Sequence, residues 1–263
     1  MTPPLVDLHS HILPGFDDGA ADLEASVDMA RAAARGGTRT IVATPHVSLS
    51  YDATPSAIAA GVAVVKGALA ERDIDLEVAS GAEVAVPRLS NLDEHTLHDL
   101  CLGQGMYLLV ESPYSASPFL EKLLFDLQTR GFRPVLAHPE RCPSFHRDRA
   151  LLERLVAQGA LCSVTAGSLT GRFGRTVRRF TQDLFRAGLV HDIASDAHDT
   201  VRRPPGLTAG LDALRSDLPG LACQADWYSR EVPGAIMRGE PVPRRPAAEA
   251  SRPPRRWSVR TRG

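Results

Sequence analysis

Cysteine is scarce in this chain and shows no pairing pattern. Its four residues (Cys101, Cys142, Cys162, Cys223) are scattered, without a Cys-x-x-Cys pair. That argues against a structural zinc site of the thiolate kind and suggests reduced thiols in a cytoplasmic protein. Nor is any of the four followed six positions later by arginine, since those positions hold Tyr107, Asp148, Ser168 and Ser229. The Cys-x5-Arg loop of thiolate phosphatases is therefore missing. No apolar run approaches the roughly 20 residues needed to span a bilayer, and the first seven residues carry no signal-like pattern. An excess of charge is missing too. Lys and Arg total 30 against 31 Asp and Glu, a net charge of −1, which leaves no overall basic field for nucleic acid.

What is present fits one large domain. The chain has 263 residues, 43% hydrophobic and 23% charged, enough to bury a sizeable core. Residues 1–240 are expected to form that domain. Residues 241–263 are rich in Pro and Arg and read as a disordered basic tail. Short apolar runs alternate with helical patterns. Strands are predicted near 5–13, 40–44, 76–84, 107–111, 134–138, 160–165 and 189–195. Helices are predicted over 22–35, from 54, and over 91–100, 118–129, 149–158 and 176–187. Strand–helix alternation of this kind calls for a parallel sheet. Seven units over about 200 residues favour a closed or nearly closed barrel over an open, doubly wound sheet.

The chemistry sits at the strand ends. The first strand ends in His9-Ser10-His11, followed by Asp17-Asp18-Gly19. The second ends in His46, the third in Glu83, the fourth in Glu111, the fifth in His138-Pro139-Glu140-Arg141 and the seventh in Asp196-Ala197-His198. In a parallel barrel these ends meet on the face where active sites are built. Alternate residues of a strand point the same way, so His-x-His can offer both imidazoles to one ion, and Asp-x-His does likewise. Imidazole and carboxylate without thiolate suit Mn, Fe, Zn or Ni. Up to nine ligands are too many for one ion. Two or three divalent ions are expected, with Glu83 a natural bridge. His95, His98, His146 and His191 lack such placement and read as surface or packing residues.

The segments DLHSHILPGFDDGA, ATPH, GAEV, LVESP, FDLQTRGFRPVLAHPER, GSLTGRFG and IASDAH together resemble the PHP (polymerase and histidinol phosphatase) superfamily. More closely, they resemble its bacterial capsule-type protein-tyrosine phosphatases, the CpsB/CapC family, over residues 5–240. The resemblance implies an α/β fold, a distorted (β/α)7 barrel of the PHP type, with a trinuclear centre in which Mn is the leading candidate and Fe or Zn the alternatives. It implies hydrolysis of phosphotyrosine on a bacterial tyrosine kinase that controls capsular or exopolysaccharide synthesis. It implies His9, His11, Asp17, His46, Glu83, Glu111, His138, Asp196 and His198 as metal ligands, and Arg141 and Arg203 as phosphate-binding groups. One departure stands at Val47, where relatives often carry a second histidine. Hydroxide formed at neutral pH would serve as nucleophile, in keeping with the missing cysteine loop. Tyr114, Phe119 and Phe173 could cradle an aromatic ring, and the loop Gly167–Gly171 could line the mouth; packing and a plain connection are the other readings. Two alternatives share the ligands: a phosphatase for a small molecule such as histidinol phosphate, and a metal-binding regulator of polysaccharide export. Self-association is left open.

Overall fold

A computed structural model describes residues 4–103, 105–113 and 119–248. β1 (Leu5–Ser10) leads through α1 (Leu23–Arg35) to β2 (Thr38–Ala43) and β3 (His46–Val47). α2 (Pro55–Ala70) returns the chain to β4 (Glu77–Ser80) and β5 (Glu83–Ala85). α3 (Glu94–Asp99), β6 (Tyr107–Glu111), α4 (Leu120–Thr129) and β7 (Arg133–Ala137) follow. A turn of 3₁₀ helix at Pro139–Arg141, then α5 (Pro143–Arg147) and α6 (Arg149–Ala157), precede β8 (Leu161–Thr165). α7 (Ala166–Thr170) and α8 (Arg175–Arg186) precede β9 (Asp192–Ala194). α9 (Thr208–Asp217) and α10 (Val232–Met237) cover a region to which the sequence reading assigned no element.

Local chemistry sets the helix starts. Asp22 caps α1 by accepting from the Ala25 N–H at 2.9 Å, and Asp93 caps α3 through Thr96 at 2.7 Å. Thr54 caps α2, with Pro55 in the first helical position where its missing N–H costs nothing. The strands are rich in β-branched and leucine residues. Leu8, Ile41, Val78, Leu109, Val135, Val164 and Ile193 are buried, as a sheet covered by helices requires.

Among the described residues every pairing between these strands is parallel, as expected of an α/β protein. Where the sequence predicts a closed or nearly closed barrel, the strands of the described residues form two ladders, β1-β2-β4 and β3-β5-β6-β7-β8-β9. The break falls at Thr44-Pro45, where proline has no N–H to extend pairing, and at Gly81-Ala82 beside it. Isolated bonds bridge the break, from Gly81 N–H to Ala43 O at 3.0 Å and from Glu83 N–H to Pro45 O at 3.1 Å. At the other margin the end of β1 meets the residues after β9. Asp196 N–H donates to His9 O and His11 N–H to Ala197 O, both at 2.8 Å. The first and last predicted strand ends are thereby joined.

Residues 241–248, placed in the tail by composition, are docked. Trp227 Nε1 donates to Pro243 O at 3.0 Å and Gln224 Nε2 to Pro246 O at 2.7 Å. The Arg245 guanidinium lies 4.5 Å from the Trp227 ring centroid and donates to Gly188 O and Val190 O. Prolines leave their carbonyls free to accept, and composition does not reveal donors waiting elsewhere in the fold. The rest of the expected tail, 249–263, lies outside the described residues, as does Tyr114. Among the described residues no helix is long and apolar enough to cross a membrane.

Candidate metal centre

Five imidazoles and four carboxylates converge where the strands end. His9 and His11 leave β1 on the same side, with their Nε2 atoms 3.2 Å apart. The His11 ring centroid lies 4.5 Å from that of His46 and 4.0 Å from that of His198. Glu83, buried at the start of β5, reaches across all of them. Its Oε2 is 3.2 Å from His9, 3.5 Å from His11 and 3.1 Å from His46, while Oε1 is 2.7 Å from His138 Nε2. Asp196 Oδ1 lies 3.4 Å from His9 Nε2 and 3.5 Å from His11 Nε2. Glu111, at the end of β6, groups with His46 and Glu83. His138 and Asp196 both hold left-handed backbone, with φ of 37° and 51°. Non-glycine residues rarely adopt that conformation, and it costs energy that active sites commonly carry.

The donors form overlapping sets: His11, Asp18, His46 and His198; His9, His11 and Asp196; His9, Glu83 and His138; His46, Glu83 and Glu111. Glu83 Oε2, Asp196 Oδ1 and His198 Nε2 are buried and lack a hydrogen-bond partner among the described residues. Buried polar atoms without partners are rare in folded proteins. Three of them aimed into one shared space, all of imidazole or carboxylate type, fit divalent cations. Electrostatics agree. Burial works to raise the carboxyls of Glu83 and Asp196. The nearby imidazoles of His9, His138 and His11 outweigh it and hold both well below the usual carboxylate range. Burial lowers His198 to about 3 and lowers His46, so both favour the neutral form that binds metal. Glu111 is raised by burial and by neighbouring Glu83.

Eight of the nine ligands implied by resemblance meet in this cluster. Asp17 does not join them as a donor. Its Oδ2 accepts from His11 Nδ1 at 2.6 Å and from the His46 N–H at 2.9 Å, and its Oδ1 accepts from the Gly19 N–H at 3.0 Å. Burial raises this carboxyl, but the His11 hydrogen bond and charge prevail and hold it at about 2. Asp17 orients the His11 ring from behind. Its neighbour Asp18 faces the cluster instead, with Oδ1 at 3.5 Å from His46 Nε2 and 3.4 Å from His198 Nε2. Gly19 makes this turn possible, because a Cβ there would lie 2.1 Å from His11 O.

Arg141 and Arg203 come to the same edge from separate loops, and both donate to Asp196 Oδ2. The Arg141 guanidinium lies 4.6 Å from the Phe173 ring centroid, so Phe173 packs on Arg141. Glu140, beside Arg141, is used for structure. Its Oε1 accepts from the Thr165 N–H at 2.9 Å and Ser168 Oγ at 2.6 Å, which fixes the loop that becomes α7. Asp7 was not singled out in the sequence, yet its Oδ1 accepts from the Ser195 N–H at 2.8 Å and braces the Asp196 segment. Tyr51, also not singled out, stacks on His46 at 5.7 Å. Phe119 is exposed. His146 packs on Phe180 and bonds Glu140 O, His191 Nδ1 accepts from the Cys162 N–H, and His95 and His98 are exposed. Cys101, Cys142 and Cys162 are buried, and burial raises all three thiols, that of Cys101 to about 12. None is poised as a nucleophile.

The family model described as "Capsular polysaccharide synthesis, CpsB/CapC" matches residues 5–221. Tyrosine-protein phosphatase YwqE of Bacillus subtilis (strain 168) is 35% identical over 250 residues, which cover 94% of this chain and 97% of that protein. Tyrosine-protein phosphatase CpsB of Streptococcus pneumoniae is 28% identical over 222 residues, covering 80% and 89%. A crystal structure from work on YwqE and CpsB, described as unique metal-dependent tyrosine phosphatases, superimposes with a TM-score of 0.82 at 33% identity. That match covers 94% of this chain and 100% of the solved one. With the motif segments, the overall fold and nearly the whole length in agreement, this chain belongs to the CpsB/CapC family.

Proposed function

We propose that this protein is a metal-dependent protein-tyrosine phosphatase. Its substrate is phosphotyrosine on a protein, a bacterial tyrosine kinase of capsular or exopolysaccharide synthesis. The observation that carries this reading is the pair of ionised, buried carboxylates, Glu83 and Asp196, whose free oxygens face imidazoles beside two guanidinium groups. The ligand set is His9, His11, Asp18, His46, Glu83, Glu111, His138, Asp196 and His198, with Asp17 behind it. Two or three divalent ions suit that number of donors, and Mn suits their type. The bonds between the β1 and β9 margins support a distorted (β/α)7 barrel as the frame. The same reading puts the enzyme in the cytoplasm, where an ATP-dependent kinase is phosphorylated.

Ions bound here supply Lewis acidity, a water of lowered pKa and neutralisation of phosphoryl charge. The chain's own residues do the positioning. Asp17 fixes the His11 tautomer, with Nδ1 turned to the carboxylate and Nε2 to the cluster. Arg141 and Arg203 meet at Asp196, and planar guanidinium groups match phosphoryl oxygens in geometry. Phe173 packs against the Arg141 guanidinium. No thiol takes part.

The test compares phosphotyrosine peptides with histidinol phosphate after reconstitution with Mn, Fe or Zn. Peptide turnover that depends on added metal is the expected result. Preference for histidinol phosphate would move the assignment to a small-molecule phosphatase. Bound metal with no turnover of either would make the protein a regulator.

A further inference from the structure

We propose that a strip of arginines beside the metal centre docks anionic side chains flanking the target phosphotyrosine, so that acidic protein segments are the preferred substrates. The proposal deepens the phosphatase reading and rests on it.

The chain is balanced in charge overall, yet residues 166–182 carry four arginines and no carboxylate. Arg178 is neutralised by Asp217 at 2.6 Å. The others are exposed and differ from it. Among the described residues Arg172 donates only to the backbone oxygen of Arg202. Arg175 and Arg179 have no hydrogen-bond or ion-pair partner among the described residues. They line a groove with Thr176, Phe180 and Asp183, and the acid in that groove is already held by Arg186 at 2.8 Å. The strip is continuous with the active site. Arg172 and Phe173 line a cavity that Asp196 and Arg203 also line, and Phe173 lies under Arg141.

The start of α8 gives a second, independent argument. Exposed amides at a helix N-terminus favour anions and disfavour cations. α1 follows that rule, with Asp22 as cap and Glu24 in its first turn. α8 breaks it. Gly174 offers no side-chain cap, no acid stands in the first turn, and Arg175 does. A segment that violates a local rule without internal compensation marks a functional constraint. A carboxylate or phosphate docked there would satisfy amides and guanidinium groups together.

The experiment uses the full-length, metal-loaded protein. Its substrates are three phosphotyrosine peptides of equal length, flanked by Glu, Gln or Lys, and para-nitrophenyl phosphate. The Glu-flanked peptide should have a kcat/KM about tenfold above the Gln-flanked one, mostly through KM, and salt should erase the difference. The double substitution Arg175→Gln and Arg179→Gln should remove the preference while para-nitrophenyl phosphate turnover stays normal, which also shows that the variant is folded. Arg175→Glu with Arg179→Glu should reverse the preference toward the Lys-flanked peptide. Equal kcat/KM for Glu- and Gln-flanked peptides in the parent protein would overturn the proposal, as would a preference that survives both double variants. Binding to phosphatidylglycerol vesicles, lost in the double variant and without any peptide preference, would assign the strip to a membrane instead. Failure on all four substrates would sink the phosphatase reading and this proposal with it.

Discussion

Glu83 and Asp196 at the strand ends, and Asp7 and Asp192 within β1 and β9, are all buried. Burial raises every one of these carboxyls, yet the outcomes diverge. The first pair is held well below the usual range by imidazoles, with Arg141 adding to the effect at Asp196. At the second pair burial prevails, although His9 acts on Asp7 as well. Burial lifts Asp7 to about 6 against hydrogen bonds from Ser195. It lifts Asp192 to about 8, where Ser163 Oγ at 2.5 Å resists and Asp7 adds to the rise. Partner identity, not depth, therefore decides which layer carries charge. The strand ends hold anions, imidazoles and unpartnered atoms arranged for cations. The layer beneath forms a hydroxyl and carboxyl network that braces them.

Breaking the upper layer should have the largest effect. Glu83→Gln removes the carboxylate that four imidazoles share. It should lower phosphotyrosine turnover by at least about 1000-fold and release metal, read by activity and elemental analysis of one preparation. Arg141→Ala comes next. Losing a charge-assisted donor that tightens in the transition state costs about 2–4 kcal/mol, or ~30- to 1000-fold in rate, while metal content should stay normal. Loss of metal in that variant would make Arg141 a support for Asp196 instead.

Asp17→Asn sharpens the contrast between neighbouring residues. Outer-shell partners of metal-bound histidines are worth about 10- to 100-fold in metal affinity, so a weaker but intact centre is expected. Asp18→Asn should instead delete a donor. Equal metal titrations for the two variants would contradict these separate roles. The smallest effect on turnover belongs to the lower layer. An acid raised from its ordinary 3.8 to about 8 binds a proton in the folded state. Its contribution to stability is complete below its unfolded pKa and is lost as pH rises through about 8. Asp192→Asn should flatten that decline in the metal-free protein, measured by urea unfolding at about pH 5 and about pH 9. An unchanged slope would mean Asp192 is not the titrating group.

Much of this site was legible because the strand ends come from separate parts of the chain. His9, His46, Glu83, Glu111, His138 and Asp196 each close an apolar run, and parallel topology alone brings such ends together. Asp17 and Asp18 could not be told apart in this way. They are adjacent, and a turn closed by Gly19 decides which one faces inward. The role of Glu140 was hidden because its partners Thr165 and Ser168 are distant in sequence. The docked segment 241–248 was hidden for the same reason. Its composition favours solvent, while Trp227 and Gln224 supply the donors that hold it. The two-ladder sheet was hidden too, because its break depends on how Thr44-Pro45 and Gly81-Ala82 sit side by side.

The most direct test of the central claim is elemental analysis of freshly purified protein, coupled to phosphotyrosine peptide turnover before and after chelation. More than one Mn, Fe or Zn ion per chain is expected, with turnover abolished by chelator and restored by the metal. Full turnover by protein shown to be free of metal would contradict it.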